Sequence, residues 1–313
     1  MFDVVTLGEA LIDMVATARN VSLYEAPAFE PKPGGAPTNV AVGVARLGKR
    51  AAFVGKVGQD AFGQGLRALL EREGVDVRGM LLDSARLTTL AFVSLSDSGD
   101  PSFAFFEGAH AALTPDDLPA AVIESAYLFH CGSVSLVSEP SRSATHAAIQ
   151  RAKASGALFS YDINWRPALW RTTDTTLAAA PLAQADVIKL SEGELALLTG
   201  NREVKSALHA LPYSAPLILI TLGAQGCTYR YNGMIYHADA PKVDQVVDAT
   251  GAGDSFTAAL LAGLCDLRDQ GYTLNALPTD SLDWLVRRAC RAGALATQVR
   301  GAIPSLPRAD QLA

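Results

Sequence analysis

The sequence predicts an α/β fold in which helices cover both faces of a mostly parallel central sheet. Three observations support this prediction. From residue 127 onward, short apolar runs alternate with helical patterns, which is typical of parallel strands joined by crossover helices. Residues 88–106 contain two extended runs around Asp97–Asp100 and no helical pattern, which predicts a small antiparallel flap. Four polar or glycine-rich clusters follow predicted strands, at the edge where such sheets bind ligands.

The N-terminal part of the chain contains shorter elements separated by turn residues. The predicted elements are strands at 4–7, 11–17 and 51–57 and helices at 38–47 and 60–73. Gly48 ends the first helix, and Asp60 is the expected N-cap of the second. Four prolines between residues 22 and 37 predict a loop there.

The remaining elements alternate regularly. Strands are predicted at 127–131, 158–163, 187–190 and 217–222, and helices at 139–155, 192–198, 253–264 and 282–298. Asn232-Gly233 predicts the turn of a hairpin between residues 226 and 237. No internal repeat or interdomain linker interrupts the chain, so a single domain over residues 1–313 is expected.

Composition excludes several classes of protein. The chain has 313 residues, 49% hydrophobic residues and a net charge of −6, with no basic run, which argues against nucleic acid or an anionic membrane as a partner. No apolar run approaches the ~18 residues of a membrane span. The segment Met1-Phe2-Asp3 lacks the basic region of a secretory signal, so no such signal is expected. The cysteines form no CxxC pair and are expected to be buried free thiols of a cytoplasmic protein. They are Cys131, Cys227, Cys265 and Cys290.

The stretch Asp248–Asp254 opens directly into an apolar helical pattern. Gly251, Ala252 and Gly253 carry little side-chain bulk, so backbone N–H groups at the positive end of the helix dipole can converge on an oxyanion. Asp254 adds a carboxylate that could accept a proton from a hydroxyl beside a bound phosphate. This combination is what phosphoryl transfer to an alcohol requires. The alternative is a glycine-rich turn in which Asp254 only favours the helix dipole.

Three further clusters follow predicted strands: Asp162–Arg166, Lys189–Glu194 and Thr221–Gly226. Each has a purely structural alternative, since an Asp or Ser in them could cap a helix and the glycines could belong to a hairpin. Four unrelated strands that deliver such residues to one edge indicate a site more strongly than any single cluster. Asp13 interrupts an apolar strand, which indicates either a solvent-facing position or a ligand contact.

Two segments resemble the signatures of the ribokinase-like, PfkB-type carbohydrate kinases. Gly34–Ala41, followed by Gly48 and Gly58, resembles the N-terminal signature, and Asp248–Asp254 with Ala258-Ala259 resembles the C-terminal one. The resemblance extends from Gly8 to Ser305 and is closest to fructokinases. It implies a three-layer α/β/α sandwich, with a β-sheet lid formed by about residues 11–33 and 88–112.

The resemblance also implies residue roles. Asp254 is expected to be the catalytic base, and Gly251, Ala252 and Gly253 form the anion hole for the transferred phosphoryl group. The implied sugar contacts are Asp13, Gly34, Gly35, Asn39, Phe105, Asn164 and Arg166. A homodimer formed through the lid is also expected.

The implied cofactors are ATP, Mg²⁺ and K⁺. The expected nucleotide-binding residues are Lys189, Ser191, Thr221, Gly223 and Gly226. Glu194 is expected to organise Mg²⁺ through water. The residues expected to form a potassium loop are Asp248, Thr250, Gly301 and Ser305.

The substrate is predicted from residue 107. Related kinases for acidic sugars often carry Arg in the lid, where this chain has Phe105-Phe106-Glu107, and Glu107 would repel a substrate carboxylate. Fructose is therefore the expected substrate. The alternatives are a 2-keto-3-deoxygluconate kinase, which Arg166 would favour, a ribokinase-type kinase, or a sugar-binding regulatory protein without turnover.

Overall fold

A computed structural model describes residues 1–94, 102–172 and 174–312, and within these residues nine strands form one sheet and four form another. The strands are β1 (Phe2–Leu7), β2 (Leu11–Ala16), β3 (Phe29–Gly34), β4 (Ala51–Gly58), β5 (Asp76–Asp83), β6 (Leu90–Ser94), β7 (Ser102–Phe106), β8 (Ala126–Gly132), β9 (Leu158–Asp162), β10 (Val187–Ser191), β11 (Leu217–Thr221), β12 (Cys227–Tyr231) and β13 (Met234–Ala238).

The α-helices are α1 (Ala36–Arg46), α2 (Ala61–Arg72), α3 (Ala120–Ile123), α4 (Ser141–Ala154), α5 (Pro167–Trp170), α6 (Thr176–Ala179), α7 (Glu192–Thr199), α8 (Val204–Ala210), α9 (Ala252–Asp269), α10 (Thr279–Ala296) and α11 (Ala302–Ser305). Asp60 caps α2 as predicted, because its Oδ1 accepts the Gly63 N–H at 2.9 Å.

The nine-stranded sheet has the order β13-β12-β11-β10-β9-β8-β1-β4-β5. All neighbours from β11 to β5 are parallel, and β12 and β13 add an antiparallel hairpin. The predicted parallel sheet is therefore confirmed. β5 was not predicted, because Arg78 and Gly79 interrupt its apolar pattern; it is an edge strand that pairs with β4 through an irregular register.

Helices bury apolar side chains on both faces of this sheet, which produces two separate cores. One core joins α1, α9 and α10 through residues such as Val40, Leu260 and Leu285. The other joins α4 to the opposite face of β8 and β9 through Ile149 and Phe159. The three-layer α/β/α arrangement follows directly, since a sheet with two apolar faces must be covered twice.

The four-stranded sheet has the order β3-β2-β6-β7. Strands β6 and β7 pair antiparallel, which confirms the flap predicted for residues 88–106. The central pair of the sheet, β2 and β6, is parallel. Strand β3 lies where a loop was predicted, and it contains Pro31 and Pro33. The edge position explains this, since a proline on an edge strand removes no hydrogen bond that the sheet needs. The predicted turn at Asp97–Asp100 lies outside the described residues.

Two predictions from composition can be compared with the fold. All four cysteines are free and buried, as expected. Among the described helices, none combines the length and the apolar character that crossing a membrane would require.

Candidate active site

The first turn of α9 presents the predicted anion hole. Gly251 is its N-cap, with φ at +82°, and a Cβ there would lie 2.8 Å from the Cα of Ala302. Glycine is therefore required by both the backbone conformation and the close approach. Gly251 to Asp254 are half-buried, whereas the helix is buried from Ser255 to Cys265. The polar end of a buried helix thus faces an accessible space, with its N–H groups toward that space.

Asp254 accepts a hydrogen bond from Asn39, with 2.7 Å between Nδ2 and Oδ2. Asn39 lies in the first turn of α1, so this bond brings the two signature segments together. Burial raises the pKa of the Asp254 carboxyl, as does the negative charge of Asp162, while the Asn39 bond opposes the shift. A carboxyl whose pKa is moved toward neutrality is suited to accept a proton near pH 7.

A buried cation lies beneath the anion hole. Lys189 in β10 is 7% exposed and pairs with Asp162 at the end of β9, with Nζ and Oδ2 2.9 Å apart. A Cβ on Gly253 would lie 3.2 Å from Lys189 Nζ, so the ammonium group is directly adjacent to the first turn of α9. The chain therefore adds a positive charge where backbone N–H groups already favour an anion.

Asp13, Gly34 and Gly35 lie where β2 and β3 meet. Leu11 pairs with Gly34, and a Cβ on Gly34 would collide with the Asp13 carboxylate. Gly35 has φ at +105°, and a Cβ there would collide with the carbonyl of Glu9. Burial raises the pKa of Asp13 to about 6, and the charge of Asp254 contributes in the same direction. The predicted sugar contacts are thus adjacent to the predicted base.

Glu9 is a site residue that the sequence reasoning missed. It follows β1, an interior strand of the nine-stranded sheet, and is 3% exposed. Burial raises its pKa to about 7, and Asp254 again contributes. The signal that could have identified Glu9 is the one used for the other clusters: a charged residue immediately after a buried strand.

Asn164, Arg166 and Phe105 occupy the other side of this region. Asn164 has φ at +42°, and its N–H donates to Asp162 Oδ1 at 3.1 Å. Arg166 is exposed, and its positive charge lowers the pKa of Glu9, Asp13 and Asp254. Arg166 therefore offsets part of the negative charge of all three carboxylates. Phe105 is half-buried in β7 and contacts His110 edge to face, with ring centroids 5.7 Å apart.

Glu194 and Ser191 form a capping box at the start of α7. The Ser191 hydroxyl accepts the Glu194 N–H at 3.2 Å, and Glu194 Oε2 accepts the Ser191 N–H at 2.7 Å. The structural alternative for Ser191, a helix cap, is therefore present. Glu194 Oε1 also accepts the Trp165 N–H at 2.6 Å, so this carboxylate connects the loops that follow β9 and β10.

Thr221, Gly223 and Gly226 lie together at the turn between β11 and β12. The Thr221 hydroxyl donates to the Leu190 carbonyl at 3.3 Å. A Cβ on Gly226 would collide with the carbonyl of Ala238, so the fold itself requires glycine at this position. Gly223 has φ at +57° and open space around its Cα, so its turn is accessible.

Asp248, Thr250, Gly301 and Ser305 lie on two adjoining loops. Asp248 accepts the Thr250 N–H and the Gly301 N–H, each at 2.9 Å, so its carboxylate joins the loops. The Ser305 hydroxyl is buried and donates to the Ala302 carbonyl at 2.8 Å. Over residues 1–94, 102–172 and 174–312, no group of three or more His, Cys, Asp or Glu side chains could hold a metal ion.

Similar proteins are known over nearly the whole length of the chain. The family model described as "pfkB family carbohydrate kinase" matches residues 1–309. The chain is 44% identical to "Probable fructokinase-3" from Arabidopsis thaliana over 315 residues, which cover 97% of this chain and 88% of the relative.

Solved structures also resemble the chain over nearly its whole length. A fructokinase with bound ATP from Xylella fastidiosa superposes with a TM-score of 0.86 at 31% identity, covering 100% of this chain and 97% of the other. A fructokinase double mutant from Vibrio cholerae O395, with fructose, ADP and a potassium ion bound, superposes with a TM-score of 0.85 at 31% identity. That match covers 99% of this chain and 96% of the other.

Proposed function

The chain belongs to the pfkB family of carbohydrate kinases and is an ATP-dependent sugar kinase, and we propose that its substrate is fructose. The single observation that supports the proposed site best is the bond of 2.7 Å between Asn39 Nδ2 and Asp254 Oδ2. This bond joins a predicted sugar-binding segment to the predicted anion hole, so a hydroxyl and a phosphoryl group could meet beside one carboxylate.

In the proposed reaction, Asp254 accepts the proton of a sugar hydroxyl while the hydroxyl oxygen forms a bond to the γ-phosphorus of ATP. The bond between that phosphorus and the bridging oxygen breaks, and ADP leaves. The raised pKa of Asp254 favours the proton transfer. The N–H groups of the first turn of α9 and the ammonium group of Lys189 stabilise the negative charge on the transferring phosphoryl group.

We propose Mg²⁺ and K⁺ as the cations. Each oxygen of Glu194 already accepts one backbone N–H, which fits an indirect role in which Glu194 holds water around Mg²⁺. When bound, Mg²⁺ would neutralise phosphate charge. Asp248 joins the loops of Thr250 and Gly301, which fits a potassium site at their junction, with Ser305 beside it.

Four nucleotide-side assignments also stay in the proposal. Ser191, Thr221, Gly223 and Gly226 would contact ATP from the carboxyl ends of β10 and β11, where the fold binds ligands. Because the Ser191 hydroxyl accepts the Glu194 N–H, its remaining donor would be the part available to the nucleotide.

A neutral sugar is favoured by the charges around the site. The charge of Asp254 raises the pKa of both Glu9 and Asp13, so the three carboxyl groups influence one another. Arg166 opposes the negative charge of all three, and Lys189, which already pairs with Asp162, opposes that of Asp254. A sugar acid would add a fourth negative charge to this region. This observation disfavours 2-keto-3-deoxygluconate more directly than Glu107 does, because Glu107 is exposed and accepts a hydrogen bond from the Ser138 hydroxyl at 2.6 Å.

Assembly and location complete the proposal. The four-stranded sheet is the proposed lid, and we propose that two copies of the chain form a homodimer through it. The support is that Phe106, on the edge strand β7, is 60% exposed. Sedimentation of wild type and Phe106→Ser would test this. A single domain over residues 1–313 and a cytoplasmic location, where ATP is available, remain proposals.

The decisive experiment is a kinase assay that measures ADP release across a panel of sugars. Fructose should give the highest kcat/KM, ahead of ribose and 2-keto-3-deoxygluconate. A matched control is Asp254→Asn, which should remove ADP release with every sugar. A higher kcat/KM for either competing sugar would overturn the assignment of fructose.

A further inference from the structure

Glu9 is a buried carboxylate that no step of the proposed reaction uses. Its Oε1 accepts the Ala36 N–H at 2.9 Å. Its Oε2 is buried and has no hydrogen-bond partner in the part of the chain that the structure describes. A buried charged oxygen without a partner destabilises the fold. A residue that costs stability and lies beside a reaction centre is a candidate for a role in that reaction.

Glu9 is attached to the first turn of α1 at three points. Ala36 is the first residue of α1, and its N-cap Gly35 has no side chain to accept hydrogen bonds, so Glu9 Oε1 takes over that function. The Thr38 hydroxyl donates to the Glu9 carbonyl at 2.9 Å. Gly35 approaches that carbonyl so closely that no Cβ would fit. These three contacts therefore fix the position of the start of α1 relative to Glu9.

The same turn of α1 carries Asn39, whose Nδ2 donates to Asp254 Oδ2 at 2.7 Å. A continuous series of contacts thus runs from Glu9 through the start of α1 to the proposed base. We propose that Glu9 is a positioning residue, which fixes the first turn of α1 and thereby the hydrogen bond that orients Asp254. The proposal rests on the proposed function, in which Asp254 is the base.

The charge of Asp254 also acts on Glu9. Burial raises the pKa of Glu9 to about 7, and the charge of Asp254 contributes, while Arg166 opposes it. The charge of Glu9 in turn contributes to the raised pKa of the Cys131 thiol in β8. Burial and the charge of Asp162 raise the pKa of Asp254, while the hydrogen bond from Asn39 and the charges of Lys189 and Arg166 lower it. Loss of the Asn39 bond should therefore raise the pKa of Asp254.

Three variants separate position from charge. Glu9→Gln keeps the shape and an acceptor for the Ala36 N–H but removes the charge, whereas Glu9→Ala removes both. Glu73→Gln is the matched control, because Glu73 accepts hydrogen bonds from Arg46 at the other end of α1. The titration of Asp254 is followed by carboxyl ¹³C NMR of the unliganded protein, with its resonance assigned by its absence in Asp254→Asn.

Glu9→Ala should lower kcat by about 10–100-fold, with KM for ATP within about twofold of wild type, because a small displacement of a reacting group is sufficient for such a loss. Glu9→Gln should retain more of kcat and keep the wild-type titration of Asp254. Glu9→Ala should shift the Asp254 titration and the acidic limb of the pH–rate profile to higher pH, because the Asn39 hydrogen bond that lowers the pKa of Asp254 is weakened or lost. Glu73→Gln should leave the Asp254 titration and the pH–rate profile unchanged.

The proposal is overturned if the Asp254 titration is the same in wild type and Glu9→Ala, or if Glu9→Ala retains wild-type kcat. If the wild-type protein phosphorylates no sugar, the proposed function fails by itself. The NMR titration and a crystal structure of Glu9→Ala would still decide the role of Glu9. In that crystal structure, the hydrogen bond between Asn39 Nδ2 and Asp254 Oδ2 should be broken or lengthened.

Discussion

Two groups of charged side chains meet around the first turn of α9, and they are organised in opposite ways. The paired cluster consists of Asp162, Lys189 and Glu194, in which Lys189 contacts Asp162 at 2.9 Å and Glu194 accepts two backbone N–H groups. The carboxylate cluster consists of Glu9, Asp13 and Asp254. None of its members forms an ion pair within 4.0 Å with another described residue.

The difference shows in the pKa values. In the carboxylate cluster, burial raises the pKa of all three carboxyls, to about 7 for Glu9 and about 6 for Asp13. In the paired cluster, the negative charges of Asp162 and Glu194 outweigh burial and raise the pKa of Lys189, which holds its charge. One cluster therefore holds a fixed cation beside the proposed phosphoryl site, and the other holds carboxyls able to accept protons beside the proposed sugar site.

The largest expected effect on kcat comes from replacing Asp254, the proposed base. Asp254→Asn keeps the shape of the side chain and an acceptor for Asn39 but removes the proton acceptor, so kcat should fall by about 10²–10⁴-fold. Fructose binding, measured by calorimetry, should survive. Turnover within a few-fold of wild type would show that the carboxylate cluster does not carry the base.

The paired cluster should matter most for stability. Lys189→Met leaves Asp162 buried without its partner, which should lower the free energy of unfolding by about 3–5 kcal/mol. The matched control is Lys153→Met, because Lys153 and Asp186 are 3.5 Å apart but partly exposed, and such pairs contribute about 0–1 kcal/mol. If urea denaturation gave equal losses in the free energy of unfolding for Lys189→Met and Lys153→Met, the expected difference between the buried and the exposed ion pair would be contradicted.

Asp13 provides a smaller effect with a defined pH dependence. Asp13→Ala should raise KM for fructose with KM for ATP unchanged, since a hydrogen bond to a charged group contributes about 1.5–3 kcal/mol. In wild type, KM for fructose should rise as the pH falls below about 6, because the carboxylate then becomes protonated.

Stability should show the opposite trend, which Asp13→Asn isolates. A carboxyl whose folded pKa is raised from 3.8 to about 6 stabilises the fold fully below pH 3.8, and this contribution is lost as the pH rises through 6. Asp13→Asn should therefore raise Tm at pH 8 relative to wild type and change it little at pH 3.5. A Tm difference that does not vary with pH would contradict the assignment of this pKa to Asp13.

Potassium should produce a moderate effect through the loops that Asp248 joins. A bound cation would hold these loops together, and Gly251 packs against Ala302 of the same region, so the anion hole should become better ordered. Activity is measured in buffers free of sodium and potassium and then with added KCl, with choline chloride as the control for ionic strength. Equal rates in both salts would remove K⁺ from the proposal.

The smallest effect is expected at Glu107. Because Glu107 is exposed, its charge is screened, and Glu107→Arg should narrow the preference for fructose over 2-keto-3-deoxygluconate by less than about fivefold. Glu9→Gln removes a buried charge and should narrow the preference for fructose over 2-keto-3-deoxygluconate by a larger factor than Glu107→Arg does. A larger effect from Glu107 would place the source of selectivity in the lid instead of the carboxylate cluster.

Much of this organisation was predictable from local patterns. The alternation of apolar runs gave the parallel sheet, and the small residues before Asp254 gave the positive end of α9, because both depend only on nearby sequence. The same reasoning was wrong for β3, where Pro31 and Pro33 indicate a loop unless the strand is known to lie at an edge.

The contacts that define the proposed chemistry were decided by the tertiary structure. Asn39 and Asp254 are 215 positions apart, and nothing local to either predicts that they meet. Glu9 became a candidate only when its burial and its free oxygen were visible, and Glu107 lost importance because it is exposed. The physical reason is that side-chain charge states depend on desolvation and on distant partners, which the order of strands in the sheet determines and local sequence does not.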